Sequence, residues 1–229
     1  MTAEPPGSEP LFSGPLEIEV KLGVSRPARI ARLIRGFEQR DLAGFAPVDA
    51  PRVVTMTDRY VDTASPGRRL QAAGLRARLR SQGGAVVLAV KRAGVIRAGV
   101  TVRTELQAPA THSQDPSHWP PSDARSAVLE AVGGEPLVEI AMLRQRRLLR
   151  FIARAGTMVE LSLDRVDAVQ GGRVLARRHE LEAELIDGDE TSLAELAAVL
   201  RQLDGITPPV GSKLAFGLAA RKSMARSER

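Results

Sequence analysis

The sequence predicts an α+β protein built on a β-sheet closed into a barrel, charged inside and apolar outside. Three observations lead there. First, LEIEVKL alternates Leu16, Ile18, Val20 and Leu22 with Glu17, Glu19 and Lys21, and a strand sends successive side chains to opposite faces. Second, the alternation recurs: LRARLR sets Arg76, Arg78 and Arg80 against Leu75, Ala77 and Leu79. RTEL aligns Arg103 with Glu105, LRQRRL aligns Arg144 with Arg146, and VELSLD aligns Glu160, Ser162 and Asp164. HELEAEL aligns Glu180, Glu182 and Glu184. Third, the charges are sorted by sign, whereas a solvated face interleaves them because like neighbours repel. Three arginines on one strand and three glutamates on another are tolerable if they face each other across a cavity, or face a multivalent ion. A barrel with that interior is a container for something highly charged.

The elements follow in order. Strand 16–22 leads into SRPARIARLIRGFEQR, where Ser25 is a candidate N-cap, Pro27 suits the first turn, and Ile30, Leu33, Ile34 and Phe37 have helical spacing. This helix is expected to cover the apolar outer face. TDRYVDT (57–63) is a short strand before a Ser-Pro-Gly turn. Strands 75–81 and 85–92 meet at Gly83-Gly84, a hairpin signal, and strand 100–107 follows. The Pro-, Ser- and His-rich segment 109–122 reads as a loop, and 123–132 as a helix ended by Gly133-Gly134. Strands near 143–153, 157–169 and 173–186 turn at Ala155-Gly156 and Gly171-Gly172. Ser192 and Glu195 have capping-box spacing ahead of Leu193, Leu196, Leu200 and Leu203, and GSKLAFGLAARK is a final helix. These make about eight strands, mostly antiparallel, with a few helices. Residues 1–14 read as a flexible leader, 15–220 as one domain, and 221–229 as a basic tail.

Bulk composition narrows the function. The 229 residues, 43% of them apolar, can bury a core. No stretch reaches the roughly 18–20 apolar residues of a membrane helix, and the N-terminus lacks a secretory signal. Zero cysteines exclude disulfides, thiolate metal sites and a cysteine nucleophile, which fits a cytoplasmic location. A net charge of +6 favours anionic partners. Nucleic acid is disfavoured, because aromatics are only 3% of residues and stacking platforms are scarce. The histidines, His112, His118 and His179, show no zinc-ligand spacing. There is no P-loop and no nucleophile elbow.

From about Leu16 to Gly217 the chain resembles the CYTH family, the triphosphate tunnel metalloenzymes. The matching motifs are Glu17-x-Glu19-x-Lys21, DRYVDT (Asp58, Tyr60, Asp62), LRxR (Leu75 to Arg78), Lys91 in LAVKR, and Arg103 with Glu105 in RTE. Later come Arg144 and Arg146, Asp164, the ELEAE block (Glu180 to Glu184) and Lys213 in GSK. Val61 stands where the family usually has a second aromatic. The resemblance implies an eight-stranded antiparallel tunnel that binds a triphosphate with a divalent metal. It implies hydrolysis of inorganic triphosphate, thiamine triphosphate or a nucleoside triphosphate, or cyclisation of ATP by a class IV adenylyl cyclase. Polyphosphate or a CHAD-domain protein are the partners it brings to mind; oligomeric state stays open.

On that footing each residue type has a role. Arginine forks and lysine point charges suit phosphoryl oxygens, so Lys21, Arg76, Arg78, Lys91, Arg103, Arg144, Arg146 and Lys213 are the candidate substrate-binding residues. Which of Arg144, Arg146 and Arg147 points into the tunnel stays undecided. Clustered carboxylates suit Mg²⁺ or Mn²⁺, with Glu17, Glu19, Glu182 and Glu184 as first candidate ligands and Glu105, Asp164 and Glu180 behind them. Glu17, Glu19, Glu182 and Lys21 are the candidate catalytic groups. Arg80, Arg147 and Arg150 read as structural or exposed, and Asp58 and Asp62 as turn stabilisers. Inorganic triphosphate is the favoured substrate, since groups for gripping a base are few; Trp119 lies in the loop. A non-catalytic polyphosphate- or nucleotide-binding module is the alternative from another class.

Overall fold

The structure, a computed structural model, describes residues 14–36, 42–64, 66–97 and 99–227. Its strands are β1 (Leu16–Val24), β2 (Ala46–Pro47), β3 (Arg52–Thr63), β4 (Leu75–Gln82), β5 (Ala85–Arg92), β6 (Val95–Arg97), β7 (Val100–Pro109), β8 (Leu137–Arg154), β9 (Thr157–Gln170), β10 (Arg173–Asp187) and β11 (Ile206–Thr207). Its helices are α1 (Pro27–Arg35), α2 (Arg69–Ala72), α3 (Asp123–Val132), α4 (Glu190–Arg201) and α5 (Lys213–Ser227). Eight strands close into an antiparallel barrel in the order β1-β10-β9-β8-β3-β4-β5-β7, with β7 pairing back onto β1. The three short strands β2, β6 and β11 attach at its margins.

The apolar faces point outward. Val20, Leu22, Leu161, Leu163 and Leu181 pack with Ile30 and Ile34 of α1 and Leu193, Leu196 and Leu200 of α4. On the opposite flank Leu75, Leu79, Leu88 and Val90 pack with Leu70 of α2 and Val128 and Val132 of α3. The protein thus has two cores, both outside the barrel wall. A third apolar cluster closes one end: Leu214, Phe216 and Leu218 of α5 pack with Ala141, Leu143, Val166 and Ala168. Gly217 makes this approach possible, because a Cβ there would stand 3.0 Å from the Ala141 methyl.

Three tight turns set the register. Gly83-Gly84, Ala155-Gly156 and Gly171-Gly172 all have positive φ at both positions, the geometry that matches the twist of a two-residue hairpin. Gln82 therefore pairs Ala85, Arg154 pairs Thr157, and Arg173 pairs Gln170.

Several local expectations change. Ser25 does not cap α1; Arg26 is the cap residue, without a side-chain bond, and Ser25 Oγ donates to the Gly205 carbonyl at 3.2 Å. Pro27 has no N–H to satisfy, which reduces the need for a cap. Phe37 lies outside the described residues. For α4 the cap is Asp189, which accepts from Thr191 and Ser192 N–H groups at 3.1 and 3.0 Å, and Ser192 is already helical. β3 and β8 begin at Arg52 and Leu137, earlier than the alternation suggested. The basic C-terminal segment continues α5 as far as Ser227. No helix among the described residues is long and apolar enough to cross a membrane.

Within the 109–122 segment Trp119 is 2% exposed and its Nε1 donates to the Ser113 carbonyl at 2.8 Å. It anchors the outer α3 core and does not reach the lumen. Trp119→Ala is expected to cost about 3–5 kcal/mol of unfolding free energy, read from the urea midpoint at unchanged m-value.

Candidate active site in the barrel lumen

The inward faces of the eight strands carry the charge. Register sets Glu19 opposite Glu184, Lys21 opposite Glu182 and Glu17 opposite Arg103. It sets Arg147 opposite Asp164, Asp164 opposite Glu180, Asp58 opposite Arg80, and Lys91 opposite both Arg76 and Glu105. They surround a cavity of about 100 Å³, lined by eight basic side chains and five carboxylates.

Opposite charges close on one another across the lumen. Lys91 Nζ lies 2.7 and 2.8 Å from the Glu17 oxygens. Arg103 bridges Glu17 and Glu19, both at 2.6 Å. Lys21 meets Glu182 at 2.7 Å and Glu19 at 3.5 Å. Arg147 binds Asp164 at 2.8 Å, Glu182 at 2.5 Å and Glu160 at 2.9 Å. Lys213, from the first turn of α5, places Nζ at 2.6, 2.9 and 2.9 Å from Asp164, Glu180 and Glu182. Burial alone would favour the neutral forms, yet Lys91 and Arg103 outweigh it and hold the Glu17 carboxyl at about 2. Asp164 and Glu182 are likewise held below the carboxylate range by Lys213, Arg147 and Lys21.

Glu184 is the exception. It makes no ion pair among the described residues, and burial together with Glu17 and Glu160 raises its carboxyl to about 7. A raised carboxyl favours folding in its protonated form, so its contribution is full at low pH and is lost as pH rises from about 4.5 through about 7. Glu184→Gln is therefore expected to raise the melting temperature at pH 8 and leave it near wild type at pH 4.5. Equal shifts at both values would contradict this assignment.

Most candidate residues meet here. Glu17, Glu19, Lys21, Arg78, Lys91, Arg103, Glu105, Glu182, Glu184 and Lys213 line the cavity, and Arg76 lines it from an exposed position. Asp164 and Glu180 sit beside it, fully buried. Arg144 and Arg146 do not: they are exposed on the outer face, and Arg147 turns inward in their place. The reason is parity, since Gln145 and Arg147 share the inner face of β8, bonded to Asp58 and Asp164.

Arg80 is also a lumen residue, paired to Asp58 at 2.7 Å, rather than a surface arginine. Asp58 is not a turn residue. It is 0% exposed and accepts from Arg78, Arg80 and Gln145, fixing the two guanidinium groups. Asp62 does hold a turn, accepting from the N–H groups of Thr63, Leu70 and Gln71. Arg150 donates to the Asp49 and Ile34 carbonyls, a structural role. Arg147 had a signal in the sequence: a two-residue turn at Ala155-Gly156 counts back to place it opposite Asp164.

A carboxylate set of this kind suits a hard cation. Oxygens of Asp164, Glu180 and Glu182 lie within 4.8 Å of one another, but Lys213 already sits among them. The uncompensated acid is Glu184, directly opposite Glu19. A divalent ion could be held by Asp164, Glu180 and Glu182 if Lys213 gave way, or beside Glu184 by Glu17 and Glu19, whose present partners are Lys91, Arg103 and Lys21.

An antiparallel barrel whose charged lumen is flanked by apolar cores on its outside defines a charged-tunnel protein. The chain belongs to the CYTH family, whose domain matches residues 15–215. Among solved structures it is similar to a Hippeastrum protein assigned as an adenylyl cyclase and described as having a dominant triphosphatase activity. That match has a TM-score of 0.64 and 18% identity, covering 89% of this chain and 95% of that one. It is also similar to a Bacillus halodurans protein assigned as an adenylate cyclase, at TM-score 0.54 and 17% identity, covering 87% and 96%. At these identities the likeness is one of fold. No curated protein matches the sequence.

Proposed function

We propose that this protein is a divalent-metal-dependent triphosphatase acting on inorganic triphosphate. The observation that carries the reading is the lumen itself: eight basic groups and five carboxylates, with Tyr60 the single aromatic among the lining residues. Such a surface grips phosphoryl oxygens from many sides and offers little to a nucleobase or thiazolium ring. Lys21, Lys91, Arg103, Arg147 and Lys213 exchange their carboxylate partners for phosphoryl oxygens when substrate enters, while Arg78 and Arg80 offer the N–H groups that Asp58 leaves free. Asp58 keeps Arg78 and Arg80 aimed inward throughout. Glu17, Glu19 and Glu184, with Glu182 beside them, would hold Mg²⁺ or Mn²⁺, which supplies charge neutralisation on the phosphates and an oriented water. The narrow lumen excludes bulk solvent, so each of these electrostatic contacts is stronger than in water.

Phosphate release from triphosphate, thiamine triphosphate and ATP, with Mg²⁺ or Mn²⁺ at neutral and alkaline pH, tests the reading. Release fastest from inorganic triphosphate is expected. No release from it under any of these conditions refutes the proposal, and cyclic AMP from ATP would assign a cyclase instead. Arg78→Ala is expected to raise KM by roughly 10- to 100-fold with kcat little changed, as loss of one charge-assisted contact predicts.

A further inference from the structure

The two arginines that leave the lumen belong to a second charged surface. On the outer face of the barrel, strand register aligns Ser81, Thr57, Arg144, Asp167 and Arg177 in one row across five strands. The next row aligns Thr55, Arg146, Arg165 and His179. All of these residues but His179, which lies in a hollow beside it, line a groove of about 550 Å³ in which Arg144, Arg146, Arg165 and Arg177 come together. That hollow, of about 230 Å³ beside α1, shares Arg146 and Arg165 and adds Arg35.

The charge here is one-sided. Asp167 is the single carboxylate lining the groove. It is 3% exposed, accepts from Arg177 at 2.7 and 3.0 Å, and lies 3.4 Å from Arg165. Neither Arg144 nor Arg146 makes an ion pair within 4.0 Å among the described residues. Arg146 stands directly opposite Arg165, and like charges so placed destabilise a sheet unless an anion lies between them. The field is felt locally, since burial, Arg177 and Arg165 all hold His179 below its ordinary range.

The geometry indicates which anion fits. Side chains two residues apart on a strand stand roughly 6.6–6.8 Å apart, the spacing of every second side chain on an extended peptide. Arg177 already takes Asp167 through both nitrogens of its fork, the mode that suits a carboxylate. No aromatic side chain lines the groove on which a base could stack. Val174, 44% exposed at its edge, offers an apolar contact. We infer that this outer arginine face docks an extended acidic segment of a partner protein, with carboxylates at alternate residues.

Fluorescence anisotropy with the full chain tests this. The probes are a peptide of alternating Glu and Thr, a peptide of the same composition with its glutamates in one block, inorganic polyphosphate, and single-stranded RNA. The alternating peptide is expected to bind at least tenfold tighter than the blocked one. R144E/R146E is expected to weaken it at least tenfold with cooperative unfolding retained, and R144Q/R146Q to weaken it less, in the same direction. Absence of saturable peptide binding at low salt overturns the proposal. So does equal affinity for wild type and both double variants, or tighter Arg144- and Arg146-dependent binding of polyphosphate or RNA.

Discussion

Glu19→Ala is expected to reduce phosphate release from triphosphate on the order of a thousandfold or more, with the fold retained. Glu19 is 4% exposed and lies opposite Glu184 on β10. Its loss removes one proposed cation donor, and Arg103 keeps its 2.6 Å bond to Glu17. The damage therefore falls on reaction electrostatics, which mutagenesis of comparable single groups puts at roughly 10²–10³, compounded here by weaker metal binding. Single-turnover rates over a metal titration check it. Wild-type kinetics from Glu19→Ala would show that the cation sits elsewhere.

A stability loss as large as that of Trp119→Ala is expected from Asp58→Ala. Its carboxylate holds Arg80 through two bonds at 2.7 and 2.9 Å, Arg78 at 3.2 Å and Gln145 at 2.6 Å. The two guanidinium groups hold it well below the ordinary aspartate range even though it is fully buried. Removing one partner of a buried ion pair strands the other and costs about 3–5 kcal/mol. Here two guanidinium groups are stranded beside the proposed phosphate site, so triphosphate should restore part of the loss. The expected result is a large drop in melting temperature for Asp58→Ala, with a bigger upward shift on adding triphosphate than wild type shows. A variant as stable as wild type would mean that Glu105, 3.6 Å from Arg78, suffices as counterion.

The barrel and its lumen are legible in the sequence because alternation with sign-sorting carries two facts at once: which face a residue takes and what that face must contain. Glu17, Lys21, Arg78 and Glu182 fall out of that pattern directly. The alternation breaks at RQRRLLR, where four arginines sit among adjacent leucines and period two is lost. Leu148 and Leu149 are both buried, on opposite faces of one strand, so hydrophobicity alone cannot set the phase. Only the turn at Ala155-Gly156 does, by pairing. Asp58 resembles a turn residue for a related reason: it shares the short segment TDRYVDT with Asp62, which does hold the turn, and only the pairing of β3 with β4 and β8 reveals its partners. The start of α1 depends on Ser25 and Arg26 N–H groups donating to the distant Gly205 carbonyl, which no local motif encodes, whereas Asp189 is a local cap that the Ser192–Glu195 spacing obscures.

The ion pairs that span the lumen make the resting pore its own counterion. A guest bearing only negative charge would claim the guanidinium and ammonium groups and leave Glu17, Glu19 and Glu182 widowed in a narrow channel. A lone cation would do the same to the arginines. The least costly visitor brings both signs together, so this pore sorts its guests by whether they arrive in company.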